Sequence, residues 1–384
     1  MSHVSAPPGW GCRLIREAAT YRDGVISILD RRRYPLDVVR VDCRSVEEAA
    51  AAIEQMVTQS AGPARVAAYA MCLAAREPAA NGETRARHLA DAATRLVDTR
   101  PTNDQIANVV NEIRAFASAA PGGGTEEEIL GFLESRWRAR DAELRLLGSS
   151  GADVVPPTGR VLTHCWAEHG LIAVLEACIA RGDHPGVYCT ETRPYLQGAR
   201  LTASSVMELG LEATVVTDGM APWLMTQGMV DVVVVGADRV AADGSVVNKI
   251  GTLSVALGAK HAGIPFYACI VEPDLSVATG SQVAIEARDP AEVLSCLGVR
   301  TAAPGSHGWY PAFDVTPAEL VTGLITPRGV LAPPDLAGAF DDTSRSVAGG
   351  APANAAADRL QSSRLTRRSG ACASPPTRRR ARPR

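Results

Sequence analysis

The fold is constrained most by one run of β-branched residues, which ends abruptly at a glycine and a carboxylate. It lies within DVVVVGADRVAADGSVVNKIGT, residues 231–252, and contains four consecutive valines. Such a run suits a parallel strand that is buried on both faces. In open α/β sheets ligands bind outside the carboxyl ends of the strands, so Asp238 is predicted to lie where chemistry takes place. The alternative is that Asp238 only caps the next turn.

Asn248 and Lys249 follow in the same stretch and are predicted to lie in a loop that opens an apolar helix over residues 250–261. A cation and free backbone N–H groups that converge at a helix start form a suitable site for a phosphate. The sequence therefore indicates an anion site close to Asp238.

Strand and helix patterns alternate from residue 160 onward, as in VLTH, GVYCT, ATVVTD, DVVVVGAD and IPFYACI with helical segments between them. This alternation predicts right-handed βαβ crossovers and a parallel sheet covered on both faces. The fold class is thus α/β, a Rossmann-like parallel sheet domain at residues 151–335.

A mainly helical N-terminal domain with a small β-sheet is predicted for residues 1–150. DGVISILD and DVVRVDC read as short strands, and Ser45 to Glu48 form a capping box for a helix to about Gln59. The Gly- and Pro-rich stretch at residues 148–160 is typical of a domain boundary.

Charge separates the end of the chain from its body. From Arg345 onward there are ten arginines and one acidic residue, and large apolar residues are few. Residues 340–384 are therefore predicted to be a disordered Arg-rich tail, interpreted as a solvated extension rather than a nucleic-acid-binding segment. The nine cysteines are irregularly spaced, which predicts reduced thiols. The sequence also lacks the apolar core of a signal peptide and a long apolar span, so a cytoplasmic protein without a membrane partner is predicted.

Cys165 follows VLTH directly before a predicted helix. A thiol near a helix N-terminus has a lowered pKa, which predicts a useful thiolate, although most cysteines are inert small hydrophobes. His164 and His169 do not add a zinc site, because residues five apart do not share a helix face. Neither GxGxxG nor GxxxxGK[ST] follows a strand, so no metal and no nucleotide cofactor is predicted.

The loop after GVYCT reads ETRPYLQGAR and brings Arg193, Gln197 and Arg200 to a helix start. Guanidinium groups and an amide are the donors that phosphates and sugar hydroxyls require.

Three long motifs resemble methylthioribose-1-phosphate isomerases, the aldose–ketose isomerases of methionine salvage. They are ETRPYLQGARLTA at residues 191–203, GADRVAADGSVVNKIGT at 236–252 and FDVTPAEL at 313–320, and looser likeness extends over residues 16–330. The resemblance implies a helical N-terminal domain, a Rossmann-like domain, a homodimer, a sugar-phosphate substrate and no metal or organic cofactor. By position it implies two catalytic residues, Cys165 and Asp238. It also implies sugar-phosphate contacts at Arg100, Arg193, Gln197, Asn248 and Lys249.

The implied chemistry explains why a carboxyl and a thiol are needed. The anomeric phosphate locks an aldose 1-phosphate as a ring, so a positioned acid must assist ring opening before hydrogen moves from C2 to C1. Asp238 is the candidate acid, provided that burial raises its pKa. Cys165 either relays the C2 proton as a thiolate or shapes the pocket for a hydride shift, and the sequence leaves both routes open.

Three segments depart from the resembled family. Thr58-Gln59 stands where the family has an arginine and a glycine, residues 166–169 differ from the family's loop after the cysteine, and residues 280–288 lack an acidic pair. Because these segments surround the expected pocket, the group on C5, the phosphate contacts or the rate are expected to differ.

Two alternatives compete with a methylthioribose-1-phosphate isomerase. Ribose-1,5-bisphosphate isomerases share the implied fold, thiol and carboxyl, but a second phosphate would need more cations than the altered loop supplies. The regulatory α, β and δ subunits of the translation-initiation exchange factor share the fold without catalysis. The retained Cys165 and Asp238 favour an enzyme over a silent sugar-phosphate binder.

Overall fold

The computed structural model of the protein describes residues 10–76, 84–100 and 104–341. The protein has a helical N-terminal part and a second part that is built on a central parallel sheet. The predicted α/β class, with a mainly helical N-terminal part that carries a small sheet, is confirmed. The predicted tail at 340–384 lies, from residue 342 onward, outside the described residues. No helix in the described ranges has the length and apolar character to cross a membrane.

Among the described residues, six helices and one small antiparallel sheet build the N-terminal part. They are α1 (Arg13–Arg16), β1 (Ala19–Arg22), β2 (Val25–Leu29), β3 (Arg40–Cys43), α2 (Val46–Glu54), α3 (Gly62–Arg76), α4 (Arg85–Asp98), α5 (Asp104–Ala119) and α6 (Glu126–Ala152). Strands β1, β2 and β3 pair in sequence order. The Ser45 hydroxyl accepts a hydrogen bond from the Glu48 N–H, so the predicted start of α2 is confirmed. The helix ends at Glu54 rather than near Gln59, and Met56 already has a left-handed φ of 59°.

Helix α6 continues through the glycines that suggested a domain boundary. A Cβ atom on Gly148 would lie 2.4 Å from the Ala173 carbonyl oxygen, and one on Gly151 would lie 2.3 Å from the Val174 side chain. These glycines therefore allow two helices to approach closely, and they do not break the helix. The division of the chain into domains at residues 150 and 335 stays a prediction.

The second part contains the other α-helices and strands of the described residues. They are β4 (Arg160–Thr163), α7 (Glu168–Ala180), β5 (Gly186–Thr190), α8 (Ala203–Glu208), β6 (Ala213–Val216), α9 (Ala221–Thr226), β7 (Val232–Gly236), β8 (Arg239–Val240), β9 (Val246–Lys249), α10 (Thr252–Ala262), β10 (Phe266–Cys269), β11 (Ser295–Cys296), β12 (Val299–Arg300), β13 (Phe313–Thr316), β14 (Gly323–Thr326), β15 (Gly329–Leu331) and α11 (Leu336–Phe340).

The seven-stranded sheet has the order β15-β14-β10-β7-β4-β5-β6 and is parallel except for β15. The valines of β7 are fully buried, as the sequence predicts, and separate apolar clusters cover the two faces of the sheet. The chain runs outward from β4 through β5 to β6 and then returns to β7 on the other side of β4. The strand order thus reverses between β4 and β7, which is where open α/β sheets bind ligands.

Asn248 and Lys249 lie in strand β9, not in the loop that the sequence predicts. Strand β9 pairs with β13 and β8 in a small antiparallel sheet, with Lys249 opposite Phe313 and Asn248 opposite Asp314. The Asp314 carboxylate accepts the N–H groups of Gly251 and Leu253 at the start of α10. The motif FDVT therefore holds β9 against the helix that follows it.

Candidate active site

Cys165 and Asp238 follow the two strands between which the strand order reverses. Cys165 comes two residues after β4, and Asp238 comes two residues after β7. A Cβ atom on Gly236 would lie 2.9 Å from the Cα of Ala167, so this glycine allows the loop that carries the thiol to approach β7. The thiol and the carboxyl are thus brought to one edge of the sheet.

Two threonine hydroxyls hold the backbone of Cys165. Its N–H donates to Oγ1 of Thr192 at 2.9 Å, and its carbonyl accepts from Oγ1 of Thr202 at 2.5 Å. Cys165 has a φ of 66°, in the left-handed region that residues with a side chain rarely adopt. Such strain persists only where the surroundings fix it, and here both threonines are fully buried.

The neighbouring His164 is a structural residue in the core of the site. Its Nε2 lies 2.9 Å from the Ile250 carbonyl oxygen, and its Nδ1 lies 2.7 Å from Oγ1 of Thr190. Because a carbonyl only accepts, Nε2 carries the proton, and burial lowers the pKa of the ring. No group of three or more histidine, cysteine or acidic side chains suited to a metal is present within the described ranges.

The resting thiol of Cys165 is protonated, contrary to the lowered pKa that the sequence predicts. Burial raises its pKa to about 11, and the charge of Lys249 opposes this only in part. Helix α7 begins at Glu168, three residues after Cys165, so the thiol lies outside its first turn. The prediction was wrong because the dipole effect falls off within that first turn, whereas desolvation acts on the whole side chain.

We expect the alkylation of Cys165 by iodoacetamide to be slow at pH 7.5 and to accelerate up to about pH 11, since only the thiolate reacts. Peptide mapping across this pH range measures the rate, with the half-buried Cys296 as the internal reference. A midpoint below about pH 8.5, the ordinary value for a free thiol, would contradict a buried, protonated Cys165.

Asp238 faces the cleft and does not serve as a cap. Its N–H donates to the Val247 carbonyl, while within the described part of the chain its carboxylate makes no capping hydrogen bond. The side chain is open to the cleft, yet surrounding protein atoms limit the solvation of its charge. This desolvation raises the pKa of Asp238, and the nearby cations Lys249, Arg288 and Arg100 oppose the rise. A carboxyl in such surroundings can hold a proton and deliver it.

Three cations lie on this side of the cleft. Lys249 is buried, its Nζ donates to the Ala312 carbonyl at 3.0 Å, and burial together with the charge of Arg288 lowers its pKa. Nη2 of Arg100 lies 3.9 Å from Oε2 of Glu286, and Nε of Arg288 donates to Oε1 of the same carboxylate at 3.0 Å. Glu286 offsets one of these three positive charges, and the positive charge that remains suits a phosphate.

The remaining predicted contacts differ in their surroundings. Gln197 is buried, and its Oε1 has no partner in the described chain, which leaves an acceptor for a ligand hydroxyl. Asn248 donates from Nδ2 to Oγ1 of Thr252. The guanidinium of Arg193 instead donates to the carbonyls of residues 194, 293 and 295, so its geometry favours holding a loop over binding a substrate.

Sequence reasoning missed three residues that shape the site. Arg288 lies with Arg100 and Lys249, and the fully buried Arg31 pairs with Glu168 beside the altered loop of Thr58. Residues 280–288 stand out in the sequence for a missing acidic pair, and this pattern contains no signal for Arg288. Arg31 belongs to a run of three arginines after β2, of which one is buried, and the pattern contains no signal for which one.

Comparison with known proteins gives one consistent result. The model of the initiation factor 2 subunit family matches residues 57–333. The methylthioribose-1-phosphate isomerase of Desulforudis audaxviator is 40% identical over 331 residues, which are 83% of this chain and 95% of that protein.

Two solved structures have the same fold. That of 5-methylthioribose 1-phosphate isomerase from Pyrococcus horikoshii OT3 has a TM-score of 0.74 at 32% identity and covers 86% of this chain and 95% of its own. That of translation initiation factor eIF-2B, subunit delta, from A. fulgidus has a TM-score of 0.73 at 34% identity, with coverage of 83% and 96%.

Proposed function

This chain belongs to the initiation factor 2 subunit family, and within it we propose that the protein is an aldose–ketose isomerase that converts S-methyl-5-thioribose 1-phosphate to the ribulose 1-phosphate. The observation that carries the proposal is the carboxyl of Asp238, held with a raised pKa beside three cations and the thiol of Cys165. The relatives named for this reaction, and a solved structure of one, support it.

In the proposed reaction Asp238 is the acid that opens the ring. Its proton passes to the ring oxygen as the bond between that oxygen and C1 breaks, while Arg100, Arg288 and Lys249 hold the phosphate on C1. Hydrogen then moves from C2 to C1, the C2 hydroxyl gives its proton to the Asp238 carboxylate, and a ketone forms at C2. Atoms and charge balance without a cofactor.

Of the two routes for the hydrogen, the protonated thiol favours the hydride shift. A base must be deprotonated, and burial raises the pKa of Cys165 to about 11. A bound phosphate dianion would raise it further, because negative charge disfavours the thiolate. We infer that Cys165 acts as a neutral wall against C1 and C2, which keeps water away from the migrating hydride.

The backbone clamp on Cys165 gives a separate prediction. Thr192→Val keeps the shape of the side chain but removes the acceptor for the buried Cys165 N–H, and an unpaired buried group costs about 1–3 kcal/mol. We expect kcat to fall at least about tenfold with KM little changed, because only the position of the thiol is altered. Thr192→Ser should restore most of kcat. Equal losses in the valine and serine variants would show that the hydroxyl is not what matters.

A non-catalytic sugar-phosphate binder is the second candidate function. It is favoured by the likeness to the eIF-2B delta structure and by the altered loop at Thr58-Gln59. Purified protein incubated with methylthioribose 1-phosphate, 5-deoxyribose 1-phosphate and ribose 1,5-bisphosphate, with ketose followed by NMR, separates the candidates. Turnover of the first sugar supports the proposed isomerase, and binding of all three without turnover supports the binder.

We also propose that the protein acts as a homodimer in the cytoplasm. This rests on the resemblance of its motifs to the isomerase family. Sedimentation velocity at micromolar concentration tests it, since a species of one chain mass would contradict a dimer.

A further inference from the structure

The aromatic ring of Phe313 lies beside two of the three cations of the cleft. Its centroid is 4.3 Å from Nζ of Lys249 and 5.6 Å from Cζ of Arg288. The face of an aromatic ring carries partial negative charge, which attracts a cation at such distances. One phenyl ring therefore attracts both of these positively charged side chains.

Backbone pairing on both sides of Phe313 produces this arrangement. In the antiparallel pair of β13 and β9, Phe313 lies directly opposite Lys249, and side chains opposite each other share one face of a sheet. On the other side, the N–H of Arg288 donates to the carbonyl of Tyr310 at 2.9 Å, just before β13 begins. The segment that carries the ring thus runs between the segments that carry the two cations.

The ring stabilises a charge that its surroundings disfavour. Lys249 is buried, and burial together with the charge of Arg288 lowers its pKa. An ammonium has three N–H donors, and one of those of Lys249 is used by the Ala312 carbonyl at 3.0 Å. A carboxylate in the place of the ring would cancel the positive charge, whereas a phenyl ring attracts the cation and leaves its charge available to a phosphate.

We propose that Phe313 is a positioning residue that holds Lys249 and Arg288 side by side for the phosphate group of the substrate. The two cations repel each other, and their attraction to the same ring offsets this repulsion before any anion binds. The inference deepens the proposed function and rests on it for the identity of the anion as a sugar phosphate. Because Phe313 acts through the two cations, it should set the affinity for phosphate and leave kcat unchanged.

Isothermal titration with inorganic phosphate measures this effect without any turnover. Phe313→Leu keeps an apolar side chain but removes the ring face, so phosphate should bind about tenfold more weakly than in the wild type. Phe313→Tyr keeps the ring face, and its affinity should stay within about twofold of the wild type. In turnover assays with methylthioribose 1-phosphate, Phe313→Leu should raise KM by a similar factor, with kcat within about twofold.

Fluorination of the ring separates its electrostatic effect from its packing. Phenylalanine analogues with one, two and three ring fluorines, inserted at position 313 by codon suppression, keep nearly the same shape but withdraw negative charge from the ring face. The phosphate dissociation constant should rise with each added fluorine, by about fivefold in total. The matched control is the same series at Phe340, whose ring centroid is 4.1 Å from Cζ of Arg328, and no change in phosphate affinity is expected.

The proposal is overturned if all fluorinated proteins bind phosphate as the wild type does, if the series at Phe340 weakens binding equally, or if the wild type binds no phosphate. A loss of kcat with unchanged KM in Phe313→Leu would also contradict it. If Phe313→Leu does not fold, the fluorinated series decides, because its side chains have nearly the native shape. A wild type that binds phosphate but converts no sugar defeats the proposed function and leaves the phosphate titration valid.

Discussion

Asp238→Asn is expected to lower kcat by at least about two orders of magnitude while KM stays near the wild-type value. The amide keeps the shape of the side chain and its place beside Lys249, but it has no proton to deliver to the ring oxygen. In the wild type, the limited solvation of its charge raises the pKa of Asp238, so the acid form is retained to a higher pH than for an ordinary aspartate. Turnover should therefore fall as pH rises through that raised pKa. The substitution should remove this limb from any residual activity.

Asp243→Asn is the matched control for this experiment. Asp243 lies five residues further along the same connection, and its carboxylate accepts from the Ser245 N–H and hydroxyl in a turn. We expect its turnover to stay within about twofold of the wild type, because this half-buried carboxylate only holds a turn. Near-normal turnover in Asp238→Asn, or an equal loss in the control, would remove Asp238 from the mechanism.

Cys165→Ser should cost about two orders of magnitude in kcat, again with little change in KM. Serine keeps the backbone bonds to Thr192 and Thr202, so the clamp survives. It replaces a large, weakly hydrated sulfur by a hydroxyl that attracts water to the reacting carbons. Steady-state kinetics with circular dichroism as a check on folding measure the effect.

Cys296→Ser provides the comparison, because Cys296 is a half-buried thiol in the short strand β11. Its activity should match the wild type. If Cys165→Ser keeps more than about a third of wild-type kcat, the sulfur has no role beyond filling space.

The strands and the positions of Cys165 and Asp238 at one edge of the sheet followed from local sequence, because a buried parallel strand has a recognisable composition and α/β sheets bind ligands at the carboxyl ends of such strands. The run of valines identified β7, and the polar residues after it identified Asp238. The glycines near residue 148 suggested a break in the chain where a helix in fact continues. A glycine that allows close packing and a glycine that ends an element look alike in one sequence. Only the facing helix α7 distinguishes them.

The electrostatics of the site depended on contacts that are distant in the chain. The pKa of Cys165 is set by its burial and by Lys249, 84 residues further along the chain, so its position before a helix gave the wrong direction. Likewise, the sequence predicts Arg193 as a sugar-phosphate contact but contains no signal that its guanidinium donates to the carbonyls of residues 293 and 295. Arg31 and Glu168 are separated by more than a hundred residues, and neither belongs to a recognisable motif.

The most direct measurement of the central claim is an NMR experiment with methylthioribose 1-phosphate that carries deuterium on C2, incubated with the wild-type protein in ordinary water. The account predicts the corresponding ribulose 1-phosphate with the deuterium retained on C1, since Asp238 opens the ring and the hydride moves directly beside a protonated Cys165. Deuterium lost to water would contradict the hydride route and make Cys165 a base. Absence of any ketose, with the protein folded and the sugar bound, would contradict the assignment as an isomerase.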